Sequence, residues 1–171
     1  MKIANLTLAN NIVLAPMAGI SDLPYRRVMK EAGAALVTTE MISAKGLLHG
    51  GRRTFELPRT CHEERPLAVQ IFAGEAHSLA EAARIVSPHA DVIDINMGCP
   101  VKKVIRSGAG AALMQAPHRV GRILSAVRKA TDRPLTVKIR SGWDSSSVNF
   151  LEIGRIAVDE GVDAVTLHPR T

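Results

Sequence analysis

The chain has 171 residues, 46% of them hydrophobic and 22% charged, which excludes a disordered or low-complexity protein and suits one globular domain with a sizeable core. Its formal net charge of +6 favours an anionic partner, either nucleic acid or a phosphorylated ligand. The two cysteines, Cys61 and Cys99, give neither a disulfide framework nor a zinc spacing, and the six histidines form no metal-ligand pattern, so no metal is expected. No apolar run approaches the ~20 residues of a membrane span, and the N-terminus lacks a signal peptide, so a cytoplasmic protein with no membrane contact is the default.

Strand and helix signals alternate along the chain. Residues 12–15 are a short apolar run stopped by Pro16, which reads as a buried strand. Ser21 or Asp22 caps the helix that follows, with Pro24 in its first turn and Gly33 at its end. A second strand covers 35–38 and leads to Glu40, and a third covers 67–72 and ends at Gly74. Leu79, Ala82, Ala83 and Val86 recur at helical spacing until Pro88 intervenes. The fourth strand, 92–96, is followed by a helix marked by Val120, Ile123, Leu124 and Val127. A fifth strand spans 135–139. Phe150, Ile153 and Ala157 mark a helix with Ser147 as candidate cap and Gly161 as stop. The sixth strand, 164–167, ends at His168.

Six near-continuous apolar strands with intervening helices predict an α/β fold with a parallel sheet buried on both faces. The sheet is either open and doubly wound or curled into a barrel. Gly108-Ala109-Gly110 resembles the start of a dinucleotide fingerprint, but no strand directly precedes it and Leu113 holds the third glycine position. Polar or reactive residues instead recur at the ends of most strands: Pro16-Met17, Glu40, Gln70, Asn96 with Cys99, Lys138 with Arg140, and His168. That ring is the layout of a (β/α)₈ TIM barrel, here incomplete at about six of eight βα units.

The richest segment is Asp94-Ile95-Asn96-Met97-Gly98-Cys99-Pro100-Val101-Lys102-Lys103. It puts a thiol in the loop beyond a strand's C-terminal end, where α/β folds bind ligands. Gly98 permits a sharp turn, Pro100 stiffens it, and two lysines follow. A thiol beside positive charge can serve in proton transfer or nucleophilic attack; a half-buried turn residue is the plain alternative.

Taken together, these segments resemble the tRNA-dihydrouridine synthase family, especially its bacterial B-type branch. The resemblance runs through Leu14-Ala15-Pro16-Met17-Ala18-Gly19-Ile20-Ser21-Asp22, Thr39-Glu40-Met41, Val69-Gln70-Ile71-Phe72-Ala73-Gly74 and the Cys99 segment. It continues in Gly108-Ala109-Gly110-Ala111-Ala112-Leu113, Val137-Lys138-Ile139-Arg140-Ser141-Gly142-Trp143 and Leu167-His168-Pro169-Arg170-Thr171. Each match is modest; their order and spacing are specific. One departure is Pro169, where the family more often has Gly or Ala.

The resemblance implies an FMN-dependent enzyme that uses NADPH to reduce uridine in tRNA to 5,6-dihydrouridine, with hydride passing from FMN to C6 and a cysteine proton to C5. Cys99 holds the proton donor's position. Pro16, Met17, Ala18, Gln70, Lys138 and His168 match cofactor contacts, with Lys138 near the flavin's N1–C2 edge, and Asn96 and Arg140 match residues facing the uracil. Each has a plainer reading alone: a locally satisfied Gln, a solvated Lys, a turn Asn. Cys61 reads as incidental, Trp143 as packing or base stacking, and Arg52 and Arg53 as RNA contacts or solvated charge. Residues 1–171 then form a partial catalytic barrel domain that lacks the last two βα units, which hold the FMN phosphate, and the helical tRNA-binding domain. The resemblance implies weak FMN binding and an inactive fragment. Two alternatives stay open: an FMN barrel oxidoreductase of a small pyrimidine, and a non-catalytic RNA-binding remnant.

Overall fold

The structure is a computed structural model that describes residues 1–50, 54, 56 and 58–171. Arg52 and Arg53 lie outside the described residues. An antiparallel hairpin, β1 (Lys2–Ile3) and β2 (Leu6–Thr7), opens the chain. The main sheet contains β3 (Val37–Thr38), β4 (Ile42–Ser43), β5 (Leu67–Phe72), β6 (Val92–Met97), β7 (Leu135–Arg140) and β8 (Ala164–His168). The helices that lie wholly within the described residues are α1 (Leu23–Glu31), α2 (Ala44–Leu48), α3 (Ala76–Val86), α4 (Lys102–Arg106), α5 (Pro117–Arg128) and α6 (Phe150–Asp159).

Every pairing in the main sheet is parallel, and spatial order follows chain order. A doubly wound sheet reverses its strand order at a switch point; uninterrupted sequential winding is the barrel solution. The fold is therefore α/β, a curled, incomplete (β/α)₈ barrel. Its second position is split in two. β3 and β4 both pair with β5, in register Val37 with Leu67 and Ile42 with Ile71. Between them the Thr39 hydroxyl accepts the Gln70 N–H at 3.1 Å, standing in for a ladder carbonyl.

Successive residues of β5, β6 and β7 face opposite ways, as the pleat requires. Val69, Ile71, Ile93, Ile95, Met97, Leu135, Val137 and Ile139 join the main core with the apolar stripes of α3, α5 and α6. The alternate residues Gln70, Asp94, Asn96, Thr136 and Lys138 form a polar inner face. The expectation of apolar burial on both faces holds only at the barrel's N-terminal end. There Ile3 and Leu8 of the hairpin region pack on Leu36, Ala68 and Val92.

Two edges correct the sequence reading. Residues 12–15 make a single parallel bridge, Val13 to Leu36, and are not a buried strand. Ile12 and Val13 are 58% and 41% exposed, because a sheet neighbour lies on one side only. β8 is likewise half-covered, with Val165 and Leu167 each 39% exposed.

Helix ends follow the sequence signals with one exception. Asp22 caps α1, its carboxylate accepting the Tyr25 N–H at 3.0 Å, and Gly33 takes φ +104° just beyond the end. α3 stops before a 3₁₀ turn, Ser87–His89, that holds Pro88. Ser147 does not cap α6. Its hydroxyl donates to Asp144 at 2.8 Å, and Asn149 takes the cap position with no side-chain cap bond.

Candidate active site

The C-terminal strand ends enclose a cavity of about 180 Å³. Pro16, Ala18, Gln70, Asn96, Cys99, Lys138, Arg140 and His168 line it, joined by Met41, Gly98 and Pro100. Met17 does not line it; its backbone N–H and carbonyl both bond the Ser21 hydroxyl, each at 3.0 Å. A larger hollow of about 540 Å³ lies at the opposite end of the barrel, beside Asp91 and Pro134. Convergence of reactive groups, rather than volume, picks the smaller cavity.

The loop carrying Pro16 and Ala18 is tied from two sides. The Gly19 N–H donates to the Glu40 carboxylate at 2.6 Å. Arg26, 1% exposed, donates to the Ser21 carbonyl at 2.9 Å and pairs with the fully buried Glu64 at 2.7 Å. The Cys99 loop is held just as firmly. Asn96 Oδ1 accepts the Gly98 and Cys99 N–H groups at 3.2 and 3.0 Å. Arg140 Nε donates to the Gly98 carbonyl at 2.7 Å, and the Cys99 carbonyl accepts the Ala111 N–H at 3.0 Å. Gly110 (φ +61°) approaches so closely that a Cβ there would sit 2.6 Å from the Cys99 carbonyl oxygen. Gly108-Ala109-Gly110 therefore buttresses the cysteine loop.

Gln70 is fully buried. Its amide donates to Asp94 at 2.5 Å and accepts from the Asn96 amide at 2.9 Å, leaving one N–H hydrogen on each of the two amides. Asp94 also accepts from the Thr136 hydroxyl at 2.6 Å. Burial pushes the Asp94 carboxyl above its ordinary pKa, against the pull of these two bonds and of Lys138. Lys138 is half-buried, and burial pushes its ammonium below the usual lysine value; Asp94 opposes that shift and Arg140 adds to it. The His168 imidazole is lowered by desolvation and by the cations Lys138, Arg140 and Arg170, which favours its neutral form.

Lys102 and Lys103 are exposed at the start of α4. Cys61 precedes a 3₁₀ turn, His62–Glu64, and does not line the cavity. Trp143 packs against the main core. The sequence reading gave no role to Asp94, Met41 or the Arg26–Glu64 pair. Asp94 was within reach of it: two residues from Asn96 on one strand, it must face the same way.

Lys138 reaches the cavity with no hydrogen bond or ion pair to a described residue. A half-buried ammonium that feels Asp94 but makes no direct bond to it, and that shares its cavity with a thiol, suits the electron-rich edge of a flat heterocycle such as a flavin ring. Among the described residues no group of three or more His, Cys, Asp or Glu could hold a metal ion. No described helix is long and apolar enough to cross a membrane.

Sequential parallel strands and a reactive cavity at their C-terminal ends define an α/β barrel of the enzyme type, present here in part. The chain belongs to the dihydrouridine synthase family, whose family model matches residues 13–171. It is 46% identical over 172 residues to tRNA-dihydrouridine synthase B of Xanthomonas campestris pv. campestris, covering 100% of this chain and 52% of that protein. It is 43% identical over 167 residues to a probable tRNA-dihydrouridine synthase of Rhizobium leguminosarum, covering 97% and 52%. The chain thus spans about half the length of the curated relatives it matches. Among solved structures, the carboxyl transferase domain of Rhizobium etli pyruvate carboxylase aligns at TM-score 0.56 and 17% identity, over 82% of this chain and 22% of that one, a likeness of fold alone.

Proposed function

We propose that this chain carries the uridine-reducing half of a tRNA-dihydrouridine synthase, with Cys99 as the proton donor to C5 of the uracil. The observation that carries the reading is Cys99 facing the same cavity as the half-buried Lys138. FMN, reduced by NADPH, supplies the hydride to C6 when bound. Pro16 and Ala18 would offer backbone to the ring, Gln70 its remaining amide hydrogen, and Lys138 a cation able to stabilise negative charge on the reduced group. His168, held toward the neutral form, adds a hydrogen-bonding contact without a further charge. Arg140 and Asn96 flank the uracil, and both also fix the loop that aims the thiol. Cys99 gives its proton to C5 and is reprotonated from solvent, so one hydride and one proton saturate the C5–C6 bond.

The basic charge, the family and the relatives' names favour tRNA over a free pyrimidine. The test uses the chain extended to the length of its relatives. Cys99→Ala should suppress dihydrouridine formation in tRNA while NADPH still bleaches the flavin. Equal loss of both half-reactions would remove the proton-donor role. Faster turnover of free uracil than of tRNA by the parent enzyme would move the reading to a small-molecule reductase.

A further inference from the structure

The inner face holds an unbroken run of side-chain hydrogen bonds that ends on the cysteine loop. Asp94 accepts from the Gln70 amide at 2.5 Å, Gln70 accepts from the Asn96 amide at 2.9 Å, and Asn96 accepts from the Gly98 and Cys99 N–H groups at 3.2 and 3.0 Å. The cysteine-loop end fixes its direction. Backbone N–H groups can only donate, so Asn96 turns its oxygen to the loop and its amide N–H to Gln70, whose own N–H then faces Asp94. Both amides therefore have one orientation that satisfies every bond. Register explains the residue types. Gln70 lies opposite Asp94, whereas Asn96 sits two residues further along β6. A glutamine is long enough to climb that step of about 6.6 Å. Gln70, Asp94 and Asn96 are 0%, 6% and 7% exposed, so water competes little for these groups.

We propose that Asp94 is a positioning residue: through Gln70 and Asn96 it fixes the Cys99 loop in the geometry that presents the thiol. The proposal rests on the reading of Cys99 as proton donor. What Asp94 supplies is an acceptor oxygen facing Gln70, not its charge. The amide introduced by Asp94→Asn would keep an oxygen toward Gln70, while the Thr136 hydroxyl turned to accept from the new amide hydrogens. A leucine in place of Asp94 would leave the Gln70 amide without its acceptor and free to turn, and a leucine in place of Gln70 would free the Asn96 amide itself.

Hydrogen–deuterium exchange read by mass spectrometry, with fragmentation that resolves Gly98 and Cys99, tests this without flavin or tRNA. Asp94→Leu and Gln70→Leu should each speed exchange at these two amides about tenfold while amides of the outer-face residues Ile93 and Ile95 stay protected. Asp94→Asn should exchange like the parent. In the extended enzyme, Asp94→Leu should lower kcat for uridine reduction with little change in KM for tRNA, and Asp94→Asn should restore it. Parent-like exchange in a folded leucine variant would overturn the proposal. So would exchange in Asp94→Asn as fast as in a leucine variant, because charge would then be the agent. If the leucine variants do not fold, Asp94→Asn still tests the proposal, since exchange at Gly98 and Cys99 about tenfold faster than in the parent would overturn it. An exchange result as expected beside a fully active Cys99→Ala would sink the catalytic reading and leave the positioning intact.

Discussion

The two faces of β5, β6 and β7 are made by the same residues taken alternately, yet they do opposite work. Outward, Ile71, Ile93, Ile95, Val137 and Ile139 are at most 1% exposed against the helices. Inward, Gln70, Asp94, Asn96 and Lys138 are polar, and the Lys138 ammonium is half-buried with burial outweighing the pull of Asp94. Burial of the outer set supplies most of the favourable free energy, at roughly 25 cal/mol per Å² of apolar surface. The inner set costs desolvation that only complete hydrogen bonding offsets. One strand can therefore carry both stability and reactivity, and substitutions on its two faces should fail in different assays.

The largest expected effect is Cys99→Ala in the extended enzyme. Loss of a general acid should slow dihydrouridine formation by about 10²–10⁴-fold while leaving the melting temperature nearly unchanged. A matching fall in melting temperature would make Cys99 part of the packing and blur the division of faces. Next comes Ile139→Ala on the outer face. Ile139 is 1% exposed in the main core, and truncation should cost about 2–5 kcal/mol in a denaturant titration. A cost under about 1 kcal/mol would mean that the helices do not cover β7 as described.

The outer face was the legible one. Apolar runs at 67–72, 92–96 and 135–139 lead directly to strands, and helical spacing leads to the stripes of α3, α5 and α6. The strand ends at Gln70, Asn96, Lys138 and His168 were legible too, because polar residues interrupt apolar runs there. Pairing across the chain was not. Nothing local marks Arg26 as the partner of Glu64, 38 residues later, nor Asp94 as the acceptor for Gln70. The strand at 12–15 failed for a related reason. Its apolar run is genuine, but burial depends on a second neighbour, which local sequence does not report. Ser147 was misread because its hydroxyl has a nearer acceptor in Asp144.

Lys138 sharpens the comparison through pH. Its pKa is lower in the folded chain than in the unfolded one, with burial the leading cause. The unfolded state therefore binds more protons between the lowered value and the ordinary lysine value of about 10.4. Stability associated with Lys138 should rise with pH across that window and be lost as pH falls through the folded value. Lys138→Met should accordingly be more stable than the parent at pH 7, with the gap closing towards pH 10, although its flavin affinity falls. Melting temperatures of the pair across pH 7–10 test the sign. A gap that widened with pH would mean that Asp94 or another anion outweighs burial.

The smallest effect on stability is expected at the open edge. Leu167 lies beside Ile139 in register, yet is 39% exposed where Ile139 is 1% exposed. Leu167→Lys should cost only about 0.5–1 kcal/mol, since the lysine stem can lie where the leucine lay. The same change should have a clear effect on association. β8 pairs with β7 on one side, and Leu151, Val158 and Val165 add exposed apolar surface around it. A strand edge of this kind is a template for pairing with another chain. Residues 1–171 alone should associate as concentration rises and purify without flavin colour, and Leu167→Lys should shift sedimentation towards monomer. A monomeric parent chain at high concentration would show that the edge is already protected, and the contrast between β7 and β8 would then be one of exposure without consequence.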